Sequence, residues 1–144
     1  MLQSLIYRSF TDLTPLDAGY QHIMARSRLR NRDLLVTGYL HWEDGIFHQW
    51  IEGPAVPLLI VEQIILSDQL HRNITILRRG EIPARQFEGW AMAASTSEEK
   101  SLFNFLAASD AGHHHHPAYA FSILQFMKQQ MSRLAVNPDS RATS

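Results

Sequence analysis

Along the first 95 residues the hydrophobic period switches repeatedly between that of a strand and that of a helix, and the order of the switches leaves few folds open. Residues 2–8 are apolar and short, as a strand should be. Thr14-Pro15, with Asp17 three residues after the threonine, is a helix start, and the helix it opens extends to about Asn31. Residues 34–41 and 46–52 are strand candidates separated by Glu43-Asp44-Gly45, whose Asp-Gly pair favours a tight hairpin. A second helix follows Gly53-Pro54 over 56–69, with Leu58, Val61, Ile65 and Leu66 on or near one face. Segments 73–79 and 86–93 complete the set as strands. The order βαββαββ makes two parallel crossovers, whose helices must lay their apolar stripes on a mixed sheet. The expected fold is a ferredoxin-like α+β sandwich with both helices on one sheet face.

Beyond Ala94 the pattern is helical. Thr96-Ser97-Glu98-Glu99 is a capping-box signature, and a second helix is expected after Pro117. Ala120, Leu124, Met127, Met131 and Leu134 recur at spacings of four and three, a stripe suited to packing within the chain. The expected organisation is one compact domain over 1–95, a helical extension over 96–136 that covers the other sheet face, and a polar, disordered tail over 137–144.

Composition narrows the chemistry. The absence of cysteine removes thiol catalysis and thiolate metal ligands, and fits a reducing cytoplasm. A formal net charge of -1 gives no broad positive field for nucleic acid. Arg26, Arg28, Arg30 and Arg32 are locally basic, but a spacing of two scatters them around a helix, and a solvated helix end is expected. No apolar run is long enough to span a bilayer and no signal peptide is readable, so neither nucleic acid nor membrane is an expected partner. Consecutive histidines at His113 to His116 point in different directions with no carboxylate at ligand spacing, so a loop is expected there and not a metal site.

Strand alternation puts Leu5 and Tyr7 on one face of the first strand, Phe47, Gln49 and Ile51 on one face of the third, and Trp90 and Met92 together on one face of the last. A phenol and a carboxamide thus sit among apolar neighbours and require partners. Either they satisfy each other inside the core or they bind a polar ligand wedged under the helices. His41, His48, Tyr39, Ile46 and Trp50 fall on the opposite face, which must also be covered.

Ser4-Leu5-Ile6-Tyr7-Arg8-Ser9, Asn31 with Val36-Thr37-Gly38, Phe47-His48-Gln49-Trp50-Ile51-Glu52-Gly53-Pro54 and Phe87-Glu88-Gly89-Trp90-Ala91-Met92 stand in order and at the spacing of the BLUF domains, the blue-light sensors that use FAD, which this chain resembles over about residues 1–95. The resemblance implies a flavin held edge-in between the two helices, FAD with FMN or riboflavin as alternatives. Ile23 and Ile65 would flank its ring, Asn31 would bond the ring carbonyl and nitrogen, and Phe47 and His71 would complete the site. Gln49 would bridge the flavin and Tyr7. Light would drive an electron from Tyr7 to the flavin and rearrange Gln49, and Trp90 and Met92 would relay the change. Many family members carry a basic residue on the second helix where this chain has Ile64, so phosphate contacts fall to Arg30, Arg32, His71 or Arg72.

No catalytic or DNA-binding segment follows, so the expected output is a downstream protein effector or a change of homo-oligomer, without enzymatic activity. Two other readings use the same fold. An acylphosphatase-type enzyme would need a phosphate loop after the first strand. An RNA-binding sheet would need Tyr39 and Trp50 exposed.

Overall fold

The computed structural model describes residues 1–109 and 118–134, and the sandwich is the expected one. Strands β1 (Leu2–Phe10), β2 (Thr37–Glu43), β3 (Ile46–Pro54), β4 (Arg72–Ile82) and β5 (Ala93–Thr96) form one sheet in the order β4-β1-β3-β2-β5. Pairing is antiparallel except between β2 and β5. Helices α1 (Ala18–Asp33) and α2 (Ala55–Ser67) supply the crossovers, while α3 (Leu102–Ala107) and α4 (Tyr119–Leu134) follow the sheet.

Side-chain alternation divides the apolar residues into two layers. Leu5, Leu40, Phe47 and Ile51 pack with Tyr20 and Met24 of α1 and Leu58, Val61 and Ile65 of α2. Ile6, Tyr39 and Trp50 pack with Leu102 and Leu106 of α3 and Ile123, Phe126 and Met127 of α4. Of the α4 stripe, Ala120, Leu124, Met127 and Met131 pack into this layer within the chain. On α2 the stripe departs at one position: Leu66 is exposed, and Glu62 takes the buried place with its carboxylate on Arg79. The sheet and the helix pair on each of its faces enclose both layers, each buried apolar side chain contributing roughly 1.5–3 kcal/mol.

The hairpin between β2 and β3 forms at Asp44 (φ 50) and Gly45 (φ 77), the double positive φ that Asp-Gly supports. Elsewhere a glycine serves close approach. A Cβ on Gly38 would stand against the carbonyl oxygen of Trp50 on the neighbouring strand. Backbone cannot yield as a side-chain tip can, so Gly38→Ala is expected to cost about 2–4 kcal/mol, read as a lower urea midpoint at unchanged slope.

Four local features differ from the sequence reading. Helix α1 begins at Ala18, because the Asp17 carboxylate accepts from Thr14 N at 2.8 Å and holds the preceding residues in a turn. The bonds of the Thr96 to Glu99 capping box are made, Thr96 N to Glu99 Oε2 at 2.6 Å and Glu98 N to Thr96 Oγ1 at 3.3 Å, but they close a turn; α3 starts later, capped by Ser101 Oγ. Of the four arginines on α1, Arg26 and Arg32 are exposed, while Arg28 and Arg30 turn inward, Arg28 Nε reaching Met92 O at 3.2 Å.

The fourth difference bears on the site. Residues 86–93 do not form a strand; β5 begins only at Ala93. The amides that would pair in a strand go elsewhere: Gln86 N and Phe87 N donate to the buried Glu52 carboxylate at 2.8 and 2.9 Å, and Trp90 N turns back to Phe87 O at 3.1 Å. The His113 to His116 run, Pro117 and the 137–144 tail lie outside the described residues.

Candidate functional site

Tyr7 and Gln49 are direct partners in the β1–β3 register and face α1 and α2. The Tyr7 hydroxyl donates to Gln49 Oε1, and Gln49 Nε2 donates to Met92 Sδ at 3.5 Å. This fixes which way the amide points: its oxygen faces a donor and its nitrogen faces a sulfur that can only accept. All three side chains are nearly sealed from water. Burial is the main cause that pushes the Tyr7 pKa up, against a smaller opposing effect of Arg30, so the phenol keeps its proton.

Above this pair a cleft opens between the helices, about 420 Å³ including its mouth, and is lined by Ile23, Ser27 and Arg30 of α1, Ile65 of α2, Leu40, Phe47, Asp68, Leu70 and His71. Ile23 and Ile65 supply branched apolar side chains from the two helices, as expected of walls for a flat ring. Phe47 lies in the floor, its ring 6.2 Å from that of Tyr20. Arg30 is desolvated, which lowers its pKa, and its Nε and one terminal nitrogen both donate to Asn31 Oδ1 at 3.2 Å.

The remaining expected site residues are placed differently. Asn31 does not line the cleft; its amide donates to Ala91 O at 2.8 Å and it borders a second, open hollow with Thr37, Arg85 and Glu88. His71 lines the cleft, but both ring nitrogens are engaged, Nε2 with Ile65 O at 2.8 Å and Nδ1 with Ser9 Oγ at 2.7 Å. A carbonyl only accepts, so Nε2 carries the proton and Nδ1 receives the serine hydroxyl. Among the phosphate candidates, Arg72 reaches the exposed Asp12 at 3.3 Å. Trp90 and Met92 do not share a face. The bend at Ala91 breaks the alternation, so Met92 joins the cleft layer and Trp90 the layer under α3 and α4. Ser27 was not foreseen in the sequence, although it follows Ile23 and precedes Arg30 at helical spacing; Asp68, just past the end of α2, carried no such signal.

Neither competing reading finds its site. Tyr39 and Trp50, which an RNA-binding sheet would expose, are 0% and 5% exposed under the C-terminal helices. After β1, Thr11 Oγ1 bonds Leu70 O and accepts from Leu13 N, so the segment is tied down and does not form a phosphate loop.

A buried phenol–amide pair thus lies at the floor of a cleft between two helices, over a ferredoxin-like sheet. Residues 2–93 match the family model for sensors of blue light using FAD, and the chain belongs to that family, BLUF. The family uses FAD, and the cleft offers side chains of a kind that could suit it: apolar Ile23 and Ile65, the Gln49 amide and the desolvated Arg30.

Over 88 residues, 60% of the chain, it is 35% identical to the blue light- and temperature-regulated antirepressor BluF of Escherichia coli (strain K12), and over 82 residues it is 28% identical to photoactivated adenylate cyclase subunit beta of Euglena longa. The matches span 22% and 10% of those two proteins. Among solved structures, the dark-state BLUF protein BlrB superposes with a TM-score of 0.77 at 29% identity, covering 90% of this chain and 96% of that one. Among the described residues no helix is long and apolar enough to cross a membrane.

Proposed function

We propose that blue light acts on this chain by rearranging the hydrogen bonds of Gln49, and that the change passes through Met92 and Trp90 to α3 and α4. The observation that carries this reading is the position of the Gln49 amide between Tyr7, which donates, and Met92 Sδ, which accepts. When bound, FAD supplies the blue-light absorption and, once excited, accepts an electron. Tyr7 is the donor that the floor of the cleft offers. A phenol that has lost an electron is strongly acidic, and its proton has Gln49 Oε1 in hydrogen-bond contact. An amide so perturbed can turn about its last side-chain bond, which brings nitrogen to Tyr7 and oxygen to Met92. Sulfur cannot donate, so the bond to Met92 is lost in the turned state.

Met92 precedes β5 directly, and its carbonyl holds Arg28 of α1. Trp90 stands two residues earlier in the layer of the C-terminal helices. A shift of Met92 therefore has a covalent route through the sheet. Residues 1–95 act as the sensor and 96–136 as the output, in the cytoplasm, on a protein effector or a second copy of the chain. Arg30 and Asn31, partners of each other in the folded chain, are the groups released to the cofactor, Arg30 to its phosphates and Asn31 to its ring.

Purified chain loaded with FAD is expected to show flavin bands that move to longer wavelength under blue light and return in darkness. The same illumination is expected to change amide hydrogen exchange in α3 and α4. A shift without any change in those helices would overturn the relay, and FAD uptake without a shift would overturn the role of Gln49.

A further inference from the structure

His48 follows Gln49 in the chain and points to the other face of the sheet. It is 1% exposed, and among the described residues neither ring nitrogen has a hydrogen-bond partner. The register sets Arg8 of β1 on one side of it and His41 of β2 on the other. Arg8 Nε is also without a partner. Phe103 of α3 covers His48 edge-on with ring centres 6.1 Å apart, and α3 carries no ionisable side chain. From α4, the Tyr119 hydroxyl meets Arg8 and Phe126 meets the His41 ring at 5.0 Å.

His41 is provided for. Its Nε2 meets Glu43 Oε1 at 2.9 Å and its Nδ1 meets Ser95 Oγ at 2.8 Å, with Glu99 also nearby. The Glu43 carboxylate additionally accepts from Ser101 Oγ at 2.5 Å and Leu102 N at 2.7 Å, so it anchors the start of α3. The ionisable groups flanking His48 in the sheet are therefore Arg8 and His41, both basic, while the Glu43 carboxylate is committed to His41 and α3.

We propose that His48 is an acid-sensitive latch: with its ring neutral α3 lies on the sheet, and a proton on the ring lifts α3 away. An imidazolium in this place would have no acceptor and two basic neighbours. Burial above all, then His41 and Arg8, holds the His48 pKa down at about 3, against 6.5 for a free side chain. Once α3 lifts, the ring meets water and titrates near its ordinary value. The proton thus binds the lifted state and not the docked one. Docking is fully favoured above the ordinary value and is lost as pH falls from there toward the depressed one, tenfold in the lifted-to-docked ratio per pH unit.

The test is amide hydrogen exchange of the FAD-loaded chain in darkness, as protection factors corrected for intrinsic rate. Between about pH 7.5 and about pH 5.5, protection of the α3 amides is expected to fall about tenfold in the wild type and to stay level in His48→Phe, which fills the same space without titrating. Amides of β1 and β3 should not change. Equal protection at both pH values, an equal loss in the variant, or an equal loss in β1 and β3 would each overturn the latch. If His48→Phe does not fold, His48→Gln supplies the same comparison, and an imidazole titration by NMR that places His48 near its ordinary pKa in the docked chain would overturn it independently.

Discussion

Tyr7→Phe is expected to leave FAD uptake intact and to abolish the light-driven red shift completely. The substitution deletes one oxygen from a side chain that is 3% exposed and otherwise sits among Leu5, Phe47 and the edge of the His71 ring, so the packing that shapes the cleft floor survives. What disappears is both the hydroxyl that Gln49 Oε1 accepts from and the phenol that can yield an electron together with a proton. The amide then faces an apolar ring edge, with Met92 Sδ as its remaining partner at this end of the sheet. Difference spectra under blue light read the outcome directly. A shift that persists in the variant would remove Tyr7 from the photochemistry, whatever its role in packing.

The second large effect is expected at Glu52. Its buried carboxylate accepts from Thr37 Oγ1 at 2.7 Å, Trp50 Nε1 at 2.8 Å, Gln86 N at 2.8 Å and Phe87 N at 2.9 Å. Two of these donors are backbone amides of the segment that leads to Trp90 and Met92. Glu52→Ala would strand an indole N–H and two amides, and is expected to cost roughly 3–4 kcal/mol, with a Tm lower by roughly 10 °C or more. Glu52→Gln should fall between, since its amide nitrogen would confront N–H groups that want an acceptor. Urea unfolding of both variants decides this, and a loss below about 1 kcal/mol for the alanine would mean the loop is held by other contacts.

The parts of this molecule that were legible in the sequence are those fixed by local rules. The period of the apolar residues places β1, both crossover helices and the face shared by Tyr7 and Gln49, and Asp44-Gly45 marks its hairpin because only a double positive φ joins those strands so closely. The parts that were not legible depend on partners far along the chain. Residues 86–93 have strand-like composition, but Glu52, thirty-odd positions earlier, captures their amides. His71 looks like a free phosphate ligand until Ser9 and the Ile65 carbonyl take both of its nitrogens. That Asn31 turns its amide to Ala91 O and its oxygen to Arg30 in the folded chain had no signal in the sequence. Trp90 and Met92 would share a face only if the backbone stayed extended through Ala91.

The strict alternation along β1 and β3 has an evolutionary reading. On these strands Leu5, Tyr7, Phe47, Gln49 and Ile51 belong to the cleft side, whereas Ile6, Arg8, His48 and Trp50 belong to the side that α3 and α4 cover. Insertion of a single residue into either strand would exchange the two sets and destroy both. Substitution, by contrast, can rewrite one set while leaving the other untouched. The same photochemical floor can therefore be inherited unchanged while its underside is remodelled for one partner after another, each new output costing no revision of the sensor.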